Sequence, residues 1–217
     1  GSDLQRQWWG IALTHASVMA DDSGSHWLEK LLAGSIRIPG LKLEQDPRWE
    51  ALNAWARVSG REAASVQARL DSELKRDPSD EGHKEALAVQ AAVSRADAKE
   101  AVLTQATSGK LNLAEFNELA SNFQCLGQDA LIAPLVDRYF GLLPEIARSR
   151  PQDEAGIFAE SFYPASCDEP RLVRLKQWMA QYLDFLPAGV KQSLIRVQEE
   201  EERCIQLRRA GLPKAAA

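Results

Sequence analysis

Apolar side chains recur at helical spacing along almost the whole chain, and no run of alternating β-branched residues interrupts them. The pattern predicts an all-α protein. Helices are expected at about 4–20, 24–34, 47–59, 61–76, 79–93, 95–107, 112–124, 128–147, 152–162, 169–185 and 188–210. Asp46-Pro47 and Asp77-Pro78 read as helix starts, because an aspartate can cap free N–H groups and a first-turn proline needs no donor. Asn112 with Glu115 has the form of a capping box, and Ser94 with Asp97 is a weaker version of it. Gly60 and Gly109 stand where left-handed C-terminal caps are expected.

The starts at 46, 77 and 112 recur with two helices in each interval, the rhythm of an α-solenoid of stacked antiparallel pairs in the manner of HEAT and armadillo repeats. The helix at 128–147 carries two adjacent rows, Leu131-Leu135-Tyr139-Leu143 and Ile132-Val136-Phe140. Its apolar face is wider than a surface helix requires, which predicts a central position. Pro134 removes a backbone donor inside it, so the helix either restarts or kinks there. The segment Pro39 to Arg48 reads as a loop that separates a portion bearing Trp8, Trp9 and Trp27 from the solenoid core at 46–210. If packing partners of that Trp-rich portion lie outside the chain, apolar surface is expected to be left uncovered there. Gly1-Ser2 reads as a cloning remnant ahead of an excised segment, 3–210 as one helical domain, and 211–217 as a frayed tail.

A chain of 217 residues with 45% hydrophobic and 26% charged residues can build a substantial core. A net charge of −5 and scattered Lys and Arg argue against a nucleic-acid partner, which would need a basic face. No apolar run approaches the ~20 residues that span a bilayer, so no membrane segment is expected. Cys125, Cys167 and Cys204 are widely separated with no C-x-x-C, which suggests reduced thiols and a cytoplasmic location.

Candidate chemistry is sparse. His15, His26 and His83 have no partner at the spacing of H-E-x-x-H, and no G-x-S-x-G elbow is present. Ser108-Gly109-Lys110 lacks the upstream glycine of a phosphate loop and reads as a helix stop, Cys125 as a small core residue, and Glu199 to Glu202 as a solvated acidic face. Arg57, Arg69 and the Arg148-Ser149-Arg150 turn could meet a peptide carboxylate, although surface arginines are the plainer reading. Asn122, Gln124, Gln128 and Arg138 flank the loop between two strongly apolar helices and are the candidates for lining a substrate cavity, with capping and turn hydrogen bonds as the alternative.

From about Arg48 to Ala210 an ordered series of motifs carries a resemblance: RWEALNAWARVSG, then ARLDSELKRDPSDEGHKEALAVQAAVSRADAKEAVL, then NLAEFNELASNFQCLGQDALIAPLVDRYFGLLPEIA, then Ser161-Phe162-Tyr163-Pro164. Together they resemble the helical C-terminal domain of the aminopeptidase N family, particularly the branch similar to the endoplasmic-reticulum aminopeptidases. The resemblance implies a zinc exopeptidase that removes N-terminal residues from peptides, with zinc ligands and amine-recognition strand in domains upstream. For this chain it implies no cofactor of its own and no catalytic residue. It implies instead a bowl of helices that closes over the catalytic domain of the same polypeptide, its partner, and controls the access of peptide substrates. A free-standing α-solenoid adaptor for another protein is the alternative reading, with a helical ligand-binding domain of a regulator behind it.

Overall fold

A computed structural model describes residues 3–19, 21–58 and 60–211, and all regular structure among them is helical. The expected remnant at Gly1-Ser2 and almost all of the expected tail lie outside the described residues. The chain forms two compact units, the first ending at Val102 and the second beginning at Leu103.

In the first unit, α1 (Asp3–Val18), α2 (Asp22–Leu32) and α3 (Gln45–Arg57) pack on one another, while α4 (Ala63–Arg76) and α3 both pack on α5 (Asp80–Ala92). The core is built from Trp9 and Leu13 of α1, Leu28 and Leu31 of α2, Trp49, Leu52 and Trp55 of α3, and Leu70 and Val89. Arg48 and Trp49 both turn toward partners beyond α3. The Arg48 guanidinium donates through Nε and Nη2 to the two Glu73 oxygens, each at 2.7 Å, and the Trp49 indole donates to Asp77 at 2.8 Å. The Arg-Trp pair is thus explained by packing and polar pairing inside this unit.

Gly24 sets how closely α2 lies on α1, because a Cβ there would stand 2.2 Å from the carbonyl oxygen of Ala16. Gly24→Ala is expected to force the two helices apart and cost about 1–2 kcal/mol, overpacking outweighing the better helix propensity of alanine. A urea midpoint equal to or above that of the wild type would overturn this account.

After α6 (Ala96–Thr107), the second unit comprises α7 (Leu113–Ser121), α8 (Asp129–Ile132), α9 (Val136–Ser149), α10 (Gln152–Ser161), α11 (Glu169–Tyr182) and α12 (Ala188–Arg209). The helix α10 is central, packing on α7, α9 and α12, and α11 packs on α12. The single helix expected at 128–147 is divided. Ala133–Leu135 form a 3-10 turn with Pro134 inside it, so the chain restarts as α9. The wide apolar face survives the break, with Tyr139, Phe140 and Leu143 buried.

Two expected helix starts move. The helix α3 begins at Gln45, which places Asp46 and Pro47 in its first turn, and Glu44 at the cap makes no side-chain bond. Ser79, not Asp77, caps α5 by accepting from Gly82 N, while Asp77 ends α4 and accepts from the Ser79 hydroxyl. The Asn112–Glu115 capping box forms in both directions, and Gly109, just past the end of α6, adopts φ +77° as a left-handed cap requires. Gly60 also has a positive φ, +78°, but it stands three residues beyond Arg57, and the C-cap of α3 is the extended Val58.

Candidate functional site

The densest arrangement of polar groups lies in the second unit, around the connection from α10 to α11. Phe162 and Tyr163 leave α10 buried at 1% exposure each, among rings contributed by several helices. Phe162 meets Phe116, Phe123 and Phe158 at centroid distances of 5.8, 4.8 and 5.2 Å, and Tyr163 meets Tyr139 at 5.7 Å. The connection then turns back over α12. Ser166 N and Cys167 N donate to the two carboxylate oxygens of Glu201, at 2.9 and 3.0 Å.

Its carbonyls are taken as well. Arg208 Nη1 donates to the carbonyls of Ser166 and Cys167, Arg171 Nη1 to that of Pro164, and Gln124 Nε2 to those of Ser161 and Tyr163. Asp168 caps α11 by accepting from Arg171 N at 2.8 Å. Cys167, at φ +54°, forms a disulfide with Cys204 across a Cα–Cα distance of 5.4 Å. The expectation of three reduced thiols is therefore corrected. The fold carries residue 167 over α12 to meet a cysteine 37 positions later, a proximity that sequence spacing hides. Cys125 remains a free, buried thiol.

Glu201 also corrects the expected solvated acidic face. It follows Val190, Leu194 and Val197 and precedes Ile205 on the buried stripe of α12, and only 4% of it is exposed. That periodicity is the signal that separates it from its three acidic neighbours. Burial raises its carboxyl above the ordinary value, opposed by the two N–H donors. By linkage, its stabilising contribution is full below the ordinary value of 4.5 and is lost as pH rises through the higher folded value. Glu201→Gln should remove this dependence, so the wild type's advantage over the variant should shrink as pH rises from about 4 to 7. Urea titrations across that range check it, and an advantage that grows with pH overturns it.

Burial also pushes the Tyr139 and Tyr163 hydroxyls up, with the nearby Glu201 charge adding to the effect at Tyr163. Both phenols stay protonated at neutral pH, and Tyr139 donates to the Ala159 carbonyl at 2.6 Å. The Tyr163 hydroxyl is buried with no partner, while the loop's amides and carbonyls and the Tyr139 hydroxyl are engaged, so the cluster's chemistry is that of a scaffold.

The four candidates around the polar turn occupy different settings. Asn122 Nδ2 donates to the Glu118 carbonyl at the end of α7, and Gln124 ties the turn to the loop after α10. Gln128 is buried at the start of α8, and Arg138 Nη2 donates to Thr104 Oγ1 at 2.7 Å. Gln124 thus joins the clamped loop, whereas Arg138 turns to α6. Of the arginines, Arg57 bonds Asn53, Arg69 and Arg61 lie over the Trp55 ring at 4.5 and 4.4 Å, and Arg150 donates to the Thr107 carbonyl at 3.0 Å.

The first unit holds two open grooves. One of about 460 Å³ is lined by Asp3, Arg6, Trp9, Lys42, Glu44 and Glu50 among others, and one of about 530 Å³ by residues including Leu31, Ile36, Ile38 and Leu43. Among the described residues no group of three His, Cys, Asp or Glu is placed to hold a metal ion. His26 and His83 each donate from Nδ1 to the carbonyl four residues earlier in their helices. No helix among the described residues is long and apolar enough to cross a membrane.

This all-helical chain with its clamped loop belongs to a known family: residues 1–202 match the ERAP1-like C-terminal domain. Among proteins it is similar to is Aminopeptidase N of Streptomyces lividans, 30% identical over 188 residues, which cover 83% of this chain. The aligned stretch is 20% of that relative, so the chain corresponds to a C-terminal portion of an aminopeptidase N-like protein.

Proposed function

We propose that the chain is the non-catalytic C-terminal domain of a zinc-dependent aminopeptidase that removes N-terminal residues from peptides. The observation that carries this reading is the family match over residues 1–202. In it, the helices stack as a solenoid bowl over the upstream catalytic domain, which holds the zinc, and limit which peptides reach it. Enclosure of that kind excludes folded proteins and bulk water, and remote contacts help to orient a bound peptide. The clamp around Glu201 supports such a role because a wall that selects by size must be stiff. Of the four candidates, Asn122, Gln124 and Arg138, each half-buried, are the residues proposed to face substrate, while Gln128 is buried at the start of α8.

The cytoplasmic location expected from reduced thiols loses that ground, because a Cys167–Cys204 bond is characteristic of an oxidising compartment. Supplied alone with zinc, the chain should not hydrolyse an aminoacyl-arylamide, whereas the full polypeptide should. Deleting the chain from that polypeptide should flatten the dependence of kcat/KM on peptide length. Robust hydrolysis by the chain alone, or an unchanged length dependence after deletion, would refute the assignment.

A further inference from the structure

The helix α1 is apolar on two opposite sides. Trp9, Leu13 and Ala16 are buried in the core of the first unit. Leu4, Trp8, Ile11 and Val18 fall along one line on the other side, interrupted by His15 in the turn before Val18, and are 61%, 62%, 57% and 40% exposed. A surface helix buries one stripe and solvates the rest, whereas a helix apolar on both sides has neighbours on both. Other exposed large apolar residues are dispersed, such as Leu126 in a turn, Val173 on α11 and Ile195 and Leu207 on α12. Four aligned on one helix, with a tryptophan among them, form a patch of the kind that marks an interaction surface.

We propose that this outer face of α1 is the seam on which a further apolar-faced helix of the same polypeptide packs. The inference rests on the reading of the chain as one domain of a longer aminopeptidase. Because the aligned stretch is 20% of the Streptomyces lividans relative, a protein of that design has ample chain outside this region to supply the covering helix. A membrane surface fits poorly, since interfacial helices carry a Lys- and Arg-rich polar face and α1 has Arg6 alone. A second copy fits poorly too. A stripe on one helix of 16 residues, roughly 24 Å long, is narrow beside the ~800 Å² per partner of a stable dimer.

The test uses Trp8→Cys in two forms, this chain and the full polypeptide, each compared with its parent lacking the added cysteine. Labelling by a maleimide should be fast in the chain alone and at least tenfold slower in the full polypeptide. Equal rates overturn the proposal. So does slow labelling of the chain alone accompanied by a doubled mass in sedimentation, which would assign the face to a second copy. The pair Trp8→Lys and Ile11→Lys supplies an independent readout: it should lower the Tm of the full polypeptide by several degrees and leave that of the chain alone unchanged. A shift of the same size in both, or in neither, overturns it. Neither readout needs peptidase activity, so an inactive full polypeptide would count against the proposed function and leave this seam standing.

Discussion

Phe140→Ala is expected to destabilise the second unit by about 3–5 kcal/mol, the usual cost of removing a buried ring. Only 6% of Phe140 is exposed, and its ring meets those of Tyr139, Tyr163 and Trp178 at 5.2, 6.4 and 5.7 Å. The Arg174 guanidinium lies over it at 5.2 Å, paired with Asp137. Removing the ring therefore opens a cavity between α9 and α11 and takes away the platform under Arg174. Thermal melting followed by circular dichroism should show a fall on the order of 10 °C. Phe140→Leu should recover more than half of the loss, because most of the volume returns. A melting curve unchanged by the alanine substitution would remove α9 from the core.

Glu73→Ala should cost about 3 kcal/mol in the first unit, chiefly through the partner it abandons. Side-chain exposure is 7% at Glu73 and 17% at Arg48, and the two form a fork-to-fork pair. Without the carboxylate, the guanidinium keeps only a 3.4 Å bond to the Leu32 carbonyl. The uncompensated charge of Arg48, more than the missing attraction, sets the penalty. Replacing both, Arg48→Met with Glu73→Leu, should therefore be clearly more stable than Glu73→Ala alone. Urea titration of the three chains decides the matter, and a double variant no better than the single one would mean that the pair's own attraction dominates.

The helical architecture is legible in the sequence because its signals are local. The Asn112–Glu115 box, the positive-φ glycines and the break at Pro134 each depend on residues within a turn or two of one another. Helix starts are less legible where adjacent residues can both cap. Asp77 and Ser79 are such a pair, and tertiary structure chooses between them by giving Asp77 the buried indole of Trp49 to bind. The candidate site is the least legible part. Glu201 sits in a run of four glutamates whose composition suggests solvent, and only its register with Val197 and Ile205 marks it as buried. Its partners are backbone N–H groups 34 and 35 positions earlier, which leave no trace in side-chain identity. The polar turn at 122–128 is recognisable as a turn, yet the attachment of Gln124 to carbonyls near residue 162 depends on helices brought together from across the unit.

The bond between Cys167 and Cys204 closes a covalent ring that contains α11 and the exposed corner where Phe185 stands 83% open to solvent. A protease that cuts after aromatic residues would find that corner readily. The cut would open the ring without releasing a fragment: the two pieces would migrate together on a non-reducing gel and part only when a thiol is added. A nick at the most accessible aromatic residue of this unit is thereby made survivable.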